Sequence, residues 1–517
     1  MSTNGEKEVA AQVGLKRELG LFSAISMIVA VMIGSGIFIT PSTALQETGS
    51  IGFCLVVWIV SGVLSLLGAL AFAELSAVVP RSGAEYAYFV EAFSPLHRYL
   101  GQLPAFICSW VFVFILRPAE VAVITLTFAE YFVQPFRGYI GEIDEETYGY
   151  VKKMIAILAL GLMVYINVIS VKLYVKVQNI CTACKVAACF LVIGGGIFWL
   201  SMGHTELLSE PFKGTNTAPG NIALAFYSGL WAYDGWTASA IVAEEVKKPE
   251  INILRSILVA VPVITVLYVS MNVMYMAALT VPEMINAPAV AIAWGDVVLP
   301  GWLTFAIPLG VAVSTFGCGL SIQFGVARLC YVAGQEGHVP RFFSWVHYEH
   351  MTPAAAVVLQ GLLTLVCMVS GSIAELIELA SFLIWAFYGL AMVALLVMRH
   401  TKPHAPRPYR VPTIIPCIVL AVSIFLSVTP MIAFPTYRYL FIACFMLVGY
   451  VIYHYYVYEK RKSKFSRKLT YLVQMLFMVV APDEDDSTTG SCATSSEDQT
   501  ASTEKERLAV EDEIAAR

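Results

Sequence analysis

The sequence predicts an all-α polytopic membrane protein with twelve transmembrane helices, and its composition carries that prediction. Hydrophobic residues make up 58% of the 517 residues, charged residues make up 13%, and the mean hydropathy is +0.73. Ordinary soluble proteins are roughly a quarter charged. Of the 32 basic and 37 acidic residues, only 42 lie within residues 19–458. This composition argues against a soluble enzyme, and no nucleic-acid partner is expected because the basic residues form no continuous face.

Each transmembrane helix needs about 20 mostly apolar residues to cross a hydrocarbon core of about 30 Å. The first apolar stretch leads directly into further spans, so we interpret it as a helix and not as a cleaved signal. Twelve stretches satisfy the requirement: 19–45, 51–79, 98–133, 152–171, 177–202, 220–243, 254–280, 302–331, 353–371, 374–399, 412–430 and 438–458.

Lys and Arg residues in the loops set the predicted orientation, because cytoplasmic loops are enriched in them. With the N-terminus inside, the cytoplasmic loops of the middle region hold thirteen of these residues and the outer loops hold five. An even number of spans then places both termini in the cytoplasm of a multi-pass cell-membrane protein. Residues 1–18 are predicted to form an N-terminal tail, and residues 459–517 a partly disordered C-terminal tail.

The first span carries small residues where a membrane helix is expected to be apolar. Two glycines and a serine lie at mid-depth in the run Met32-Ile33-Gly34-Ser35-Gly36-Ile37. Each glycine weakens a helix by about 1 kcal/mol, so the backbone can leave helical geometry here. Small residues also permit close helix packing, and the first span alone does not decide between the two interpretations.

The sixth span repeats the interruption about 200 residues later, in the run Trp231-Ala232-Tyr233-Asp234-Gly235. Interrupted helices at matching positions of two halves are typical of inverted-repeat transporters with a site at the membrane midplane. The sequence therefore predicts a first five-helix repeat over 19–202 and a second, inverted repeat over 220–399. Helices 11 and 12, over 412–458, lie outside the repeats.

Two such breaks suit a zwitterionic amino acid. Helix N-termini attract anions, so a carboxylate can bind the amides freed after the first break, which belong to Ser35, Gly36 and Ile37. An ammonium group can donate to freed carbonyls near Met32, Ile33, Trp231 and Ala232. The rings of Trp231 and Tyr233 can close over a substrate side chain. Together with Gly34, Asp234 and Gly235, these residues form the predicted substrate site.

Charged side chains inside a membrane are costly and therefore indicate function by default. Asp234 is placed to pair with a cationic substrate or with the amino group, the alternatives being a helix cap or a buried hydrogen bond. Lys185 lies in the fifth span, where its ammonium can occupy the position of a sodium ion. Its alternative is extension to the cytoplasmic interface.

Two further pairs of charged residues are gate or helix-pair candidates. Arg117 and Glu120 are three residues apart on one helical face, which favours a neutralising pair. Glu244 and Glu245 end the sixth span beside two lysines, which indicates a cytoplasmic gate or anchor. No cluster of the eleven cysteines or eight histidines has firm metal-ligand spacing, so no metal, cofactor or catalytic residue is expected.

Four separated motifs carry a family likeness: IGSGIF at 33–38, RSGAEYAYFVEAF at 81–93, LWAYDGW at 230–236 and YVAGQEGHVP at 331–340. In this order they resemble the L-type amino acid transporters, the light chains of heteromeric transporters within the amino acid–polyamine–organocation superfamily. QNICTACK at 178–185 and LVQMLFMVVAPDED at 472–485 are most similar to the b(0,+)-type members. The resemblance implies a LeuT-like 5+5 inverted repeat and sodium-independent exchange of neutral and cationic amino acids.

The resemblance also implies roles for single residues. Ser35 and Gly36 match the carboxylate-binding backbone, and Met32 matches the carbonyl that accepts the substrate ammonium. Trp231 matches the aromatic gate, and Asp234 matches the acidic residue typical of b(0,+)-type members. The fifth-span lysine associated with sodium independence corresponds to Lys185.

The sequence departs from the family in two places. Relatives that are disulfide-linked to a heavy chain use a cysteine in the outer loop after the third span, and residues 134–144 contain none. No disulfide-linked heavy chain is therefore expected there, while a non-covalent partner stays open. Glu120 stands where relatives usually carry small hydroxyl residues, which can alter selectivity or introduce proton dependence.

These observations predict a membrane transporter and not an enzyme. The transporter is expected to exchange large neutral and cationic L-amino acids by alternating access without sodium. The alternatives are a transporter restricted to large neutral amino acids and an amino acid receptor that transports nothing. A membrane enzyme is disfavoured because no span pairs a nucleophile with a base. A channel is disfavoured because nothing resembles a repeated filter or a ring of charges.

Overall fold

The computed structural model describes residues 20–459, except for 82, 137–143, 242–245, 288, 302 and 348–351, together with 470–471, 473–475 and 479–480. The predicted N-terminal tail and most of the predicted C-terminal tail lie outside the described residues. Nearly all regular structure in the described part is helical, as the sequence predicts.

Hydrophobic stretches in the described part of the first half of the chain form eight α-helices. A π-helix, Phe112–Leu116, joins the fifth to the sixth, and a short 3-10 turn, Gln134–Phe136, follows the sixth. The helices are α1 (Leu21–Met32), α2 (Gly36–Thr48), α3 (Ile51–Val78), α4 (Glu85–Phe93), α5 (Leu103–Val111), α6 (Arg117–Val133), α7 (Glu145–Ile169) and α8 (Val171–Ser201).

The described residues between 202 and 459 add ten α-helices and a second π-helix, Tyr453–Tyr458, at the end of the last one. Short 3-10 turns lie at Glu206–Leu208 and Arg341–Ser344. The helices are α9 (Pro219–Ala232), α10 (Ala238–Ile241), α11 (Pro249–Ala278), α12 (Val281–Asn286), α13 (Val290–Val298), α14 (Ala306–Gln335), α15 (Ala354–Ser370), α16 (Ile373–Thr401), α17 (Ile414–Ala433) and α18 (Tyr437–Ile452).

Helix length and hydropathy confirm a polytopic, multi-pass membrane protein. Within the described residues, nine helical segments are long and apolar enough to cross a bilayer, and α1 with α2 form a tenth span bent by 49°. The shorter apolar helix α15 and the interrupted pair α9 and α10 occupy the positions of the ninth and sixth predicted spans. The predicted total of twelve spans is reached only when α15 is counted as one span and the pair α9 and α10 as another.

The two interrupted spans lie at the centre of the helix bundle. α2 packs closely on α9, and α1 packs on α11, while α6 packs on α14. Side chains near the first break, such as Ile28, Met32 and Phe38, are buried. The outer helices expose apolar side chains instead, for example Phe190 on α8 and Leu440 on α18. Such apolar surfaces suit contact with the hydrocarbon chains of lipids.

A proline near the start of α6 changes the hydrogen bonds of the helix that carries Arg117 and Glu120. In the π-helix the Arg117 amide donates to the Phe112 carbonyl, so the next donor in that register would be residue 118. Pro118 has no amide hydrogen, and the Val113 carbonyl instead accepts a hydrogen bond from the Gln360 side chain of α15 at 2.9 Å. A neighbouring helix thus supplies the donor that the proline removes, as membrane helices with proline require.

A buried ion pair fastens α3 to the end of α16. The Glu74 carboxylate is fully buried and accepts two hydrogen bonds from the Arg399 guanidinium, at 2.6 and 3.0 Å. The Arg407 Nε lies 3.5 Å from it, and the Val411 amide donates to it at 2.9 Å. Arg399 and Arg407 therefore have a structural role beyond the loop charge from which orientation was predicted.

Part of the predicted C-terminal tail returns to the helix bundle. Strand β1 (Val346–His347), in the loop between α14 and α15, pairs antiparallel with strand β2 (Val479–Val480). Val473 packs beside Phe342 and Ala355. Residues 479–480 of the tail therefore lie beside the described part of the loop between α14 and α15.

Candidate functional site

Both predicted helix breaks are present in the structure. The first separates α1, which ends at Met32, from α2, which begins at Gly36. The second separates α9, which ends at Ala232, from α10, which begins at Ala238. The structure thus answers the question that the first span alone left open, because the helix is interrupted there as well as closely packed.

The glycines of each break pack against the other break. A Cβ added to Gly36 would lie 2.7 Å from the Ala232 Cβ and 3.1 Å from its amide nitrogen. Gly235 has φ +116°, and a Cβ on it would lie 2.7 Å from the Val31 Cγ1. Only glycine adopts this backbone without strain and leaves room for the neighbour. The two broken helices therefore interlock through positions that have no side chain.

The carbonyls at the end of α1 find partners on other helices. The Lys185 ammonium of α8 donates to the Ala30 carbonyl at 2.7 Å, and the Tyr268 hydroxyl of α11 donates to the Met32 carbonyl at 2.6 Å. The Gly34 amide also donates to the Met32 carbonyl, at 2.7 Å. Because a helix C-terminus is the negative end of its dipole, a buried ammonium is favourable there.

Lys185 is completely buried, so its ammonium does not extend to the membrane interface. Its position against α1 excludes the interfacial alternative and leaves the predicted role as a substitute for a sodium ion open. Cys318 of α14 lies at the same break, because a Cβ on Gly34 would lie 3.0 Å from the Cys318 sulfur.

The amides at the start of α2 differ from the carbonyls of α1. A helix leaves its first amides without acceptors of its own, and here these belong to Gly36 and Ile37, with the Ser35 amide just before them. The Ser35 carbonyl already accepts from the amides of Phe38 and Ile39. All three residues at the helix start are buried, so these amides are shielded from water at the positive end of α2.

A small cavity lies between the second break and α16. Its volume is about 10 Å³, which is about enough for one water molecule and too small for an amino acid side chain. Two predicted site residues, Trp231 and Asp234, line it, and the Tyr388 hydroxyl donates to the Asp234 carboxylate at 2.6 Å. The remaining lining residues are Leu230, Trp236, Ser381, Ile384 and Trp385.

Tyr233, also predicted to contact substrate, is fully buried elsewhere. Its ring lies 5.1 Å from that of Tyr268 and 6.0 Å from that of Trp58. The structure therefore places Tyr233 among the aromatic residues that pack α9 against α3 and α11. Tyr233 does not line the small cavity. The predicted gate candidates Glu244 and Glu245 lie outside the described residues.

The sequence analysis missed the α16 side of the cavity. Ser381, Ile384, Trp385 and Tyr388 follow helical spacing and share one face of α16. That periodicity could have identified the face as buried. It does not indicate which other helix the face meets, and the hydrogen bond from Tyr388 to Asp234 joins residues 154 positions apart.

The predicted pair of Arg117 and Glu120 is present, with 2.7 Å between guanidinium and carboxylate. Arg117 also lies within electrostatic range of Asp234 and of Glu85, the first residue of α4. Glu85 was not predicted as a site residue, although it lies inside the motif at 81–93. The structure thus brings one cation and three carboxylates together beside the second break.

A model of the amino acid permease family matches residues 19–452 of the sequence. The chain belongs to the amino acid permease family. Its match covers both helix breaks, Lys185 and the charged residues around Arg117. The predicted resemblance to L-type amino acid transporters is confirmed by the relatives described next.

Three relatives align over nearly the whole chain. The b(0,+)-type amino acid transporter 1 of Homo sapiens is 38% identical over 488 residues, which cover 93% of this chain and 97% of the relative. The cystine/glutamate transporter of Homo sapiens is 36% identical over 495 residues, or 93% and 94% of the two chains. The large neutral amino acids transporter small subunit 2 of Rattus norvegicus is 34% identical over 490 residues, or 92% and 88%.

Substitution of Gly36 tests the interlocked breaks. Gly36→Ala is expected to lower the free energy of unfolding by about 1–3 kcal/mol, because the new methyl group overlaps Ala232. Thermal unfolding of the purified protein in detergent measures this. The control, Gly194→Ala in α8, adds a methyl group that meets nothing within 4 Å. Equal unfolding temperatures for the two variants would contradict the close contact between the breaks.

Proposed function

We propose that this chain is a sodium-independent exchanger of large neutral and cationic L-amino acids, which works in the cell membrane with both termini in the cytoplasm. The observation that carries the proposal is the pair of buried, interlocked helix breaks. One of them presents the first amides of α2, for which the helix has no acceptor of its own, and the other presents the carboxylate of Asp234. The names of the relatives, which include neutral, cystine and b(0,+)-type transporters, support amino acids as the substrate class.

The proposed site holds the amino acid head group by its backbone. The substrate carboxylate accepts hydrogen bonds from the amides of Ser35, Gly36 and Ile37 at the positive end of α2. The substrate ammonium donates to carbonyls near Met32 and Ile33. The Met32 carbonyl already accepts hydrogen bonds from the Tyr268 hydroxyl and the Gly34 amide, so the substrate ammonium would replace one of these two donors when it binds.

Transport requires this site to widen, because the small cavity has no room for a substrate side chain. We infer that α9 and α10, which carry Trp231, move relative to α16 when substrate enters from either side. Trp231 is partly exposed in the described conformation and lines the cavity, which supports its role as the moving gate. An exchanger would pass between its inward-open and outward-open forms only with substrate bound.

Asp234 gives the proposed site its capacity for cationic side chains. One oxygen of its carboxylate is held by Tyr388, and the carboxylate borders the cavity beside Trp231. A guanidinium or ammonium on the substrate would pair with this carboxylate away from water, where charge interactions are strong. A neutral side chain would occupy the same cavity without the ion pair.

Substitution of Asp234 tests charge selectivity in proteoliposomes. Asp234→Asn keeps an oxygen that accepts from Tyr388 but removes the charge, so exchange of arginine relative to leucine is expected to fall by about tenfold or more. Asp296→Asn in α13, outside the cavity lining, is the matched control. Failure of external arginine to stimulate leucine efflux by the unmodified protein would exclude cationic substrates, and the neutral-only alternative would then stand. Saturable leucine binding without accumulation would instead indicate a receptor.

Lys185 is the proposed substitute for a coupling ion. Its ammonium occupies the negative end of α1 with a hydrogen bond to the Ala30 carbonyl, so no sodium ion is needed to compensate that helix end. Unlike a sodium ion, the lysine cannot leave the site. A sodium gradient therefore cannot drive the transport cycle.

Leucine exchange is expected to be equal in sodium and in choline medium, and Lys185→Met is expected to reduce it by about tenfold or more. The methionine keeps most of the volume but leaves the Ala30 carbonyl without its donor. Lys172→Met, at an exposed position of the same helix, is the control. Exchange that rises with a sodium gradient and is indifferent to Lys185→Met would refute the proposed substitution.

We also propose that any heavy-chain partner associates without a disulfide at the outer loop after α6, since residues 134–144 contain no cysteine. The relative named as a small subunit makes a second subunit plausible. Assays on the chain expressed alone therefore come first, because they show whether the transport unit needs a partner.

A further inference from the structure

Glu120 is buried, and one of its carboxylate oxygens has no partner. The residue is 2% exposed, and its Oε2 accepts a hydrogen bond from Arg117 at 2.7 Å. Its Oε1 has no hydrogen-bond partner among the described residues. A buried acceptor left unpaired costs roughly 1–3 kcal/mol, and more when it is charged. A proton on this oxygen would remove much of that cost.

Glu120 also belongs to a cluster with excess negative charge. Arg117 faces three carboxylates, those of Glu120, Asp234 and Glu85. One guanidinium against three carboxylates leaves two negative charges without compensation among these four groups. Glu85 is held in place by strained backbone, since the preceding Ala84 has φ 42°, a conformation that non-glycine residues seldom adopt.

The helices packed against α6 carry their charges elsewhere. On α14, Cys318 is the titratable neighbour of Glu120, whereas Arg328 stacks on Phe324 at 4.3 Å. On α7, Lys152 pairs with Glu130 at 2.8 Å, nearer the far end of α6. Helix α15 has no acidic or basic residue.

Helix α16 also leaves the cluster without a second cation. Its Tyr388 donates to Asp234, and its Arg399 pairs with Glu74. Its remaining acids, Glu375 and Glu378, pair with Arg438.

We propose that Glu120 is a proton-binding site that is protonated when a neutral amino acid occupies the substrate site and deprotonated when a cationic one does. The proposal rests on the proposed function. In either case one positive charge, from the proton or from the substrate side chain, reduces the excess charge of the cluster. The site would thus accept both substrate classes at a similar electrostatic cost.

The proton is assigned to Glu120 and not to Asp234 because their hydrogen bonds differ. One oxygen of the Asp234 carboxylate accepts a hydrogen bond from the Tyr388 hydroxyl, and the carboxylate borders the cavity. The free Oε1 of Glu120 has no donor to stabilise charge on it. Asp234 therefore stays available for a cationic substrate.

This assignment fixes the charge balance of exchange. When arginine enters and leucine leaves, the outgoing leucine carries the Glu120 proton, so one positive charge moves in each direction. Such exchange is electroneutral and consumes one luminal proton for each arginine that enters. Exchange of leucine for leucine carries a proton both ways and has no net effect on pH.

The test uses the full chain in proteoliposomes that contain leucine and a pH-sensitive dye, with the membrane potential held at zero by potassium and valinomycin. External arginine is expected to make the lumen alkaline, and external leucine is not. Glu120→Gln is expected to exchange both amino acids but to reduce the arginine-driven pH change by about tenfold or more. Glu130→Gln, on the same helix but outside the cluster around Arg117, is the control and keeps the pH change.

A second measurement needs no variant. Raising the pH from about 6 to about 8 is expected to slow leucine–leucine exchange about tenfold, because the protonated fraction falls, while arginine–arginine exchange changes less than about twofold. Arginine–leucine exchange without a luminal pH change, or a pH change that persists in Glu120→Gln, would overturn the proton site and leave the proposed function intact. Absence of all amino acid exchange would contradict both.

Discussion

The interrupted backbone of two helices in a low-dielectric interior is the constraint on which the rest of the structure depends. Every amide and carbonyl at such a break needs a hydrogen-bond partner from the protein or the substrate, because the bilayer interior has no water to supply one. At the end of α1 the partners are side chains from distant helices, Lys185 and Tyr268. At the start of α2 the amides remain available. The two ends of one break therefore differ in what they can still bind, and this difference defines the proposed amino acid site.

Positive and negative side chains are also separated between the two breaks. Lys185 compensates the negative end of α1 at the first break, whereas the acidic groups collect beside the second break around Arg117. A substrate head group and a substrate side chain would thus meet different electrostatic surroundings. The close contact of Gly36 with Ala232 brings these two environments together, so that one small molecule can span both.

The sequence predicted what local rules decide. Hydropathy located the spans, and glycine within apolar runs located both breaks to within a few residues, because backbone freedom and hydrophobicity are properties of short segments. The partners of the breaks were not predicted. Tyr388, Tyr268 and Glu85 occur on helices whose sequence shows a buried face but not which helix that face meets. The predicted role of Tyr233 as an aromatic lid is untested, and the structure places its ring in helix packing.

The most direct test of the central claim is a cryo-electron microscopy map of the full chain with bound leucine. The account predicts that the leucine carboxylate lies about 3 Å from the amides of Ser35, Gly36 and Ile37, with its side chain directed toward Trp231 and α16. Leucine density away from both breaks would contradict the account. So would a carboxylate held by a side-chain cation while these amides contact only protein.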